Sequence, residues 1–134
     1  MKEKVHIQIL DKYRCSSQAR QHIVYADEPQ ELGGTDTAQS PNELLLSALG
    51  SCTAITLTMY AERKGWIFSL LTIDLSMESE HSTNGKISRI ERVIHCEGNF
   101  GHEEKERLLH IAKQCPVAKI LTGTVTITTT LSES

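Results

Sequence analysis

The stretch at residues 44–61, LLLSALGSCTAITLTMYA, contains no charged side chain. The four residues before it, SPNE at 40–43, supply a serine N-cap, a proline at the first helical position and a glutamate three residues after the cap, the arrangement of a capping box. Lys64 and Gly65 follow as a stop signal. The sequence therefore predicts one long helix over residues 41–64.

This helix approaches the length of a membrane span, which needs roughly 20 apolar residues. Serine, threonine and glycine interrupt it at short intervals and the segments around it are charged, so we expect a helix buried within protein instead. Residues 44–61 make a rod of about 27 Å, comparable to the diameter of a small domain. A chain of 134 residues has little left to surround it, so we expect a homodimer. Small residues beside Cys52 would let a second subunit approach: Ala48, Gly50, Ser51 and Ala54.

The length, composition and net charge of the chain limit the class of protein. The length suits a single domain over residues 1–134. The net charge of -3 and the lack of a Lys/Arg stripe argue against nucleic-acid binding. The N-terminal stretch MKEKVHIQIL lacks the apolar core of a signal peptide. We therefore expect a cytoplasmic protein with neither a nucleic-acid nor a membrane partner.

Alternating apolar residues mark the strands. Residues 5–9 alternate, and a second strand is predicted over 20–26, with a start as early as Arg14. The proline and glycines of residues 27–39 predict a loop. Beyond the helix, residues 71–77 and 86–97 flank an Asn-Gly turn and predict a hairpin. Three charged side chains are assigned to its outer, solvated face: Arg89, Glu91 and Arg92.

The last third of the chain predicts two helices and a strand. HEEKERLLHIAKQ, opened by Asn99 or Gly101, has acids in its first turn and an apolar side. Pro116 cannot continue it, so Cys115 should end this helix and cap a short one, VAKIL, closed by Gly123. TVTITTTL at 124–131 is β-branched and predicts a strand. The fold class is α+β, a mostly antiparallel sheet wrapped around one long hydrophobic helix.

The four cysteines lack the spacing of a metal or thioredoxin-type motif, so the sequence gives little support to a zinc site. Cys15 and Cys96 are interpreted as small buried hydrophobes. Cys115 at a helix start should have a lowered pKa. Cys52 lies mid-helix in an apolar run, where burial raises a thiol pKa, so it needs a nearby Arg or Lys to react. From spacing alone, a structural role for Cys52 ranks ahead of a catalytic one.

SPNELLLSALGSC at residues 40–52, followed by CPVAKIL at 115–121, resembles the OsmC/Ohr family of osmotically induced and organic-hydroperoxide-resistance proteins. The resemblance covers nearly the whole chain. It implies an OsmC-like fold, an intertwined homodimer with two active sites at the interface, and thiol peroxidase activity. Cys52 matches the peroxidatic cysteine, which becomes a sulfenic acid, and Cys115 matches the resolving cysteine, which forms a disulfide with it. The resemblance also implies that a dithiol reductant, in some members a lipoyl group, restores the pair, and that the chemistry needs no metal or bound organic cofactor.

The sequence departs from the family at the activating residues. In the well-characterised peroxidases a glutamate directly follows the helix-starting proline and works with an arginine on an earlier strand. Here Asn42 follows Pro41 and the glutamate is Glu43, turned by about 100° around the helix. Glu43 and Arg20 are carried over as the activating pair. A capping box with Ser40 is the ordinary alternative for Glu43, and a solvated surface charge is the alternative for Arg20 and for Arg14.

The chain therefore resembles a less characterised OsmC-like branch, whose hydroperoxide the resemblance does not fix. Two other classes of function stay open. One is a redox sensor or a small-ligand-binding dimer without peroxidase turnover. The other is a structural dimer whose cysteines only pack.

Overall fold

The computed structural model describes residues 2–133, and the chain divides after Ser47 into two compact units. Its regular elements are β1 (His6–Asp11), β2 (Arg14–Ala19), β3 (His22–Ala26), α1 (Pro41–Lys64), β4 (Phe68–Ser82), β5 (Gly85–Gly98), α2 (His102–Ala112) and α3 (Pro116–Thr122). All strand pairs are antiparallel, in one sheet ordered β1-β2-β3 and another of β4-β5. The predicted α+β class with a long helix is confirmed.

The first unit begins with a three-stranded meander. Residues 14–26 form two strands, where the sequence predicted one. Arg20 has a φ of 56°, in the left-handed region used by tight turns, and this turn folds β3 back onto β2. Ala19 consequently pairs with His22 across the turn.

The predicted loop at residues 27–39 is confirmed and is organised around Asp27. This side chain is 1% exposed. Its carboxylate accepts hydrogen bonds from the Thr35 hydroxyl, from the Thr37 backbone N–H and hydroxyl, and from the Glu28 N–H. The Asp27 N–H donates to the Gln39 carbonyl at 3.1 Å. One buried carboxylate thus ties the ends of the loop together.

The predicted helix over residues 41–64 is confirmed at both ends. The Ser40 N–H donates to Glu43 Oε1 at 2.9 Å, and the Glu43 N–H donates to Ser40 Oγ at 3.2 Å, which completes the capping box. At the other end Gly65 has a φ of 73°, and the Trp66 N–H donates to the Ala61 carbonyl at 2.8 Å. Glycine takes that conformation without the steric cost a Cβ brings.

The second unit packs the β4-β5 hairpin and α2 against α1. The hairpin runs from the pair Phe68 and Gly98 to the pair Ser82 and Gly85, longer than predicted. A Cβ built at Gly50 would lie 2.7 Å from Leu75 Cδ1, so the absent side chain permits close packing of α1 on the hairpin. The buried core cluster is Leu57, Tyr60, Leu108 and Ala112.

The prediction of a final strand at residues 124–131 is wrong for the described chain, where this segment pairs with no strand. Ile127 is 83% exposed and Leu131 is 95% exposed. β-branched composition favours an extended backbone, but a strand also needs a neighbour for its N–H and C=O groups. The two helices before it, α2 and α3, form as predicted.

Candidate active site

The second unit brings Cys52 and Cys115 together. Cys52 lies in the middle of α1 and is partly exposed, whereas Cys115 is fully buried at the N-cap of α3. Both are free thiols. Each lies close enough to shift the pKa of the other, and Oγ1 of Thr53, the residue directly after Cys52, is 3.9 Å from Cys115 Sγ. Two residues 63 positions apart in the sequence are therefore neighbours in the fold.

The junction of α2 and α3 positions Cys115. Its N–H donates to the Ala112 carbonyl at 3.3 Å, and its carbonyl accepts from the Lys119 N–H at 3.1 Å. Pro116 occupies the first position of α3, where its missing N–H costs no helical hydrogen bond. The Cys-Pro step thus turns the chain so that the sulfur faces α1.

The pKa values of the two thiols are shifted in opposite directions. Burial raises the pKa of Cys52, and the adjacent Cys115 raises it further by hydrogen bond and by charge. Burial also raises the pKa of Cys115, but the adjacent Cys52, the Thr53 hydroxyl and the backbone at the start of α3 outweigh it and hold this pKa below its ordinary value.

A buried hydroxyl links this pair to an arginine. Thr53 is 0% exposed; its Oγ1 donates to the Leu49 carbonyl at 2.7 Å and lies 3.9 Å from Cys115 Sγ. Arg92 Nη1, from β5, donates to the same oxygen at 2.9 Å. The hydroxyl therefore stands between a guanidinium and the buried sulfur.

The sequence interpretation placed Arg92 on the outer face of the hairpin, which the structure corrects. Successive residues of a strand point to opposite faces. Arg89 and Glu91 are exposed as predicted, while Arg92 is half-buried on the face that also carries Ile90 and Ile94. Its apolar neighbours two residues away on either side were the available signal.

Arg20 and Glu43, the predicted activating pair, lie in the first unit. Glu43 Oε1 is engaged by the Ser40 N–H in the capping box. Arg20 is exposed in the turn between β2 and β3, and the guanidinium of Arg14 stacks 4.7 Å from the ring centre of Tyr25. Support of Cys52 by Arg20 and Glu43 stays a prediction.

The other two cysteines lie on strands. Cys96, on β5, is partly buried and packs against the core cluster. Cys15, on β2, is partly buried, with Sγ 3.8 Å from the Tyr13 carbonyl oxygen. Among the described residues, His, Cys, Asp and Glu side chains form no group of three or more that could hold a metal ion.

Comparisons with known proteins agree on one family. The family described as OsmC-like protein matches residues 34–130. The structure of an OsmC like protein from Mycoplasma pneumoniae is similar, with a TM-score of 0.75 and 21% identity over 92% of this chain and 89% of that one. The structure of an organic hydroperoxide resistance protein OsmC from Legionella pneumophila has a TM-score of 0.70 and 16% identity over 92% of this chain and 90% of that one.

OhrB of Bacillus subtilis, an organic hydroperoxide resistance protein, gives a TM-score of 0.66 and 15% identity over 92% of each chain. No curated protein matches the sequence. At these identities the solved structures establish the fold alone, and the family match carries the relationship.

Proposed function

Because this chain belongs to the OsmC-like protein family, we propose that it is a thiol-dependent peroxidase that reduces organic hydroperoxides. Cys52 would be the peroxidatic thiol and Cys115 the resolving thiol. The observation that carries the proposal is the position of the buried Cys115 sulfur beside α1, 3.9 Å from Oγ1 of Thr53, the residue directly after Cys52. Similar structures of proteins named for hydroperoxide resistance support the substrate class.

The chemistry runs in two steps. Cys52 loses its proton and attacks the terminal peroxide oxygen; the O–O bond breaks, Cys52 becomes a sulfenic acid, and the alkoxide leaves and is protonated to an alcohol. The Cys115 thiolate then attacks the Cys52 sulfur, a disulfide forms, and hydroxide leaves. The dithiol has lost two electrons to the peroxide, and an external dithiol, such as a lipoyl group, returns them by exchange.

Intact mass spectrometry tests the first half-reaction. Reduced protein is treated with one equivalent of cumene hydroperoxide, and we expect the loss of two hydrogen atoms and a peptide link between Cys52 and Cys115. Cys115→Ser should stop at a Cys52 sulfenic acid that dimedone traps, and Cys52→Ser should stay unmodified. Cys96→Ser is the matched control and should behave like the wild type. Failure of the wild type to form the Cys52 to Cys115 disulfide would sink the proposal.

Turnover tests the second half-reaction. Consumption of hydroperoxide should continue with dihydrolipoamide as reductant. It should be much slower with a monothiol, because a dithiol resolves the mixed disulfide intramolecularly. A lipoyl protein is the partner we propose, in the cytoplasm.

We also propose that the working unit is a homodimer. None of the apolar side chains in residues 2–47 is buried, so the first unit lacks a hydrophobic core of its own.

The apolar helix fits the same proposal. By length and composition α1 is capable of spanning a membrane, with 33% of its apolar window buried. Leu57 and Tyr60 place one side of it in the protein core, while Ile55 and Met59 are more than half exposed. A second copy would cover that other side. Light scattering coupled to gel filtration should give twice the chain mass, and a monomer at micromolar concentration would refute the dimer.

A redox sensor is the second candidate, favoured by the raised pKa of Cys52, which slows the first attack. A sensor forms the same disulfide once but does not consume peroxide continuously in the presence of a dithiol. The turnover assay therefore separates the two functions.

A further inference from the structure

We propose that Arg92, acting through Thr53, is a positioning residue that stabilises the thiolate form of Cys115. The inference rests on the proposed peroxidase function and deepens it. It assigns a role to an arginine on β5, a strand that follows the cysteine helix in the sequence.

The hydrogen bonds of Thr53 define the geometry. A threonine hydroxyl has one proton to donate and accepts through its oxygen, whereas a guanidinium only donates. Arg92 therefore donates to the Thr53 oxygen, and the hydroxyl proton is left for either the Leu49 carbonyl or the Cys115 sulfur. When the sulfur is negative it becomes the stronger acceptor. The arginine thus occupies the hydroxyl oxygen as a donor and leaves the hydroxyl proton able to turn from the Leu49 carbonyl to the sulfur once the sulfur is negative.

Burial makes the charge of Arg92 effective. Thr53 and Cys115 are both 0% exposed. Water and salt weaken electrostatic interactions between buried groups less than those at the surface. The groups that act on the Cys115 sulfur are Cys52 from α1, Thr53 with Arg92 behind it, and the backbone N–H groups of α3. Arg92 is the cation in this set.

Ion pairing on the same strand gives a second argument. Arg89, three residues earlier, is exposed and pairs with Glu80 at 2.9 Å. Arg92 is half-buried, and among residues 2–133 its guanidinium has no carboxylate partner within salt-bridge distance. A partly buried cation is costly unless an anion or strong acceptors compensate it. A thiolate at Cys115, one hydroxyl away, would supply that compensation.

The consequence for the reaction concerns the proton of Cys52. As Cys52 attacks the peroxide, the adjacent Cys115 thiolate accepts its proton. The alkoxide product then takes up that proton to become the alcohol, which regenerates the Cys115 thiolate. This thiolate displaces hydroxide from the Cys52 sulfenic acid. Arg92 and Thr53 stabilise the anionic Cys115 at the start and at the second attack.

The test titrates Cys115 alone and needs no peroxide. In a background of Cys15→Ser, Cys52→Ser and Cys96→Ser, the ultraviolet absorbance of the remaining thiolate is followed against pH. Adding Arg92→Met should raise the pKa of Cys115 by about one pH unit, since a neighbouring opposite charge shifts a pKa by roughly 1–3. Thr53→Val should raise it as well.

Matched variants show whether a change in the pKa of Cys115 is specific to Arg92 and Thr53. Arg89→Met removes an equal charge from the same strand and should leave the titration unchanged. Thr53→Ser retains the hydroxyl and should also leave it unchanged. In the double variant of Arg92 and Thr53 the two shifts should not add, because both residues act through one hydrogen bond.

Equal shifts for Arg92→Met and Arg89→Met would overturn the proposal, as would an unchanged titration in Thr53→Val. If Arg92→Met does not fold, as judged by circular dichroism, the comparison of Thr53→Val with Thr53→Ser decides. The peroxidase proposal fails separately: a wild type that does not reduce hydroperoxide sinks that function while leaving the titration of Cys115 as it is.

Discussion

Truncation of Leu57 to alanine probes the core of the second unit and, with a control on the same helix, the proposed dimer. Leu57 is 0% exposed and packs with Tyr60, Leu108 and Ala112. Leu→Ala at a buried site costs about 2–5 kcal/mol, from lost transfer free energy and the cavity left behind. The side chains around Leu57 lie on the helices α1 and α2, whose backbones cannot easily move in to fill the cavity. We therefore expect Leu57→Ala to lower the free energy of unfolding by about 3–4 kcal/mol.

Ile55→Ala, two residues earlier on α1, is the control. Ile55 is 54% exposed. In an isolated chain its truncation would lose only about half of the 1.5–3 kcal/mol of a fully buried side chain, or about 1 kcal/mol. If a second copy covers this side of α1, the cost should approach that of Leu57→Ala. It should then depend on protein concentration, because association stabilises the folded state by mass action.

Urea denaturation followed by circular dichroism, over a hundredfold range of protein concentration, gives both free energies of unfolding. A cost below about 1 kcal/mol for Leu57→Ala would contradict the core assignment. A midpoint independent of concentration, with a cost of only about 1 kcal/mol for Ile55→Ala, would refute the dimer interface on α1. The first result bears on the fold and the second on the assembly.

Three further predictions concern single interactions. Hydrogen bonds hold the pKa of Asp27 well below its usual value. The contribution of Asp27 to stability is therefore complete above the unfolded pKa of about 4 and is lost as the pH falls further. In Asp27→Asn the melting temperature should depend less on pH in that acid range. Ser40→Ala removes the hydroxyl of the capping box and should cost about 1 kcal/mol in thermal unfolding, while Ser40→Thr should retain most of it. The lowered pKa of Cys115 predicts that stopped-flow oxidation of the pair slows as the pH falls through that pKa, because a protonated Cys115 neither accepts the proton of Cys52 nor attacks; a rate independent of pH would contradict this.

The helix was predictable because its signals are local. Ser40, Glu43 and Gly65 act within a few residues of the helix ends, and the structure uses each of them as the sequence indicated. The strand prediction at residues 124–131 had only composition behind it. Strand formation depends on a partner that no local pattern specifies, and the described chain provides none for this segment.

The position of Arg92 was predictable from the sequence only in part. The two-residue period of a strand groups it with Ile90 and Ile94, so its half-buried position was available from the sequence. Its grouping with the exposed Arg89 and Glu91 followed charge and overlooked that period. The contact with Thr53, 39 residues away, was not available, because it depends on how β5 packs against α1.

The proposed division of roles between the two sulfurs follows from their different exposure. An exposed thiolate reacts with many oxidants and electrophiles. Here the pKa of the accessible Cys52 is raised and that of the buried Cys115 is lowered. In the proposed reaction Cys52 becomes nucleophilic as its proton passes to Cys115, which requires a reactant positioned at the pair. The raised pKa of Cys52 is therefore compatible with catalysis if Cys115 acts as its base, and removing Cys115 should slow sulfenic acid formation as well as disulfide formation.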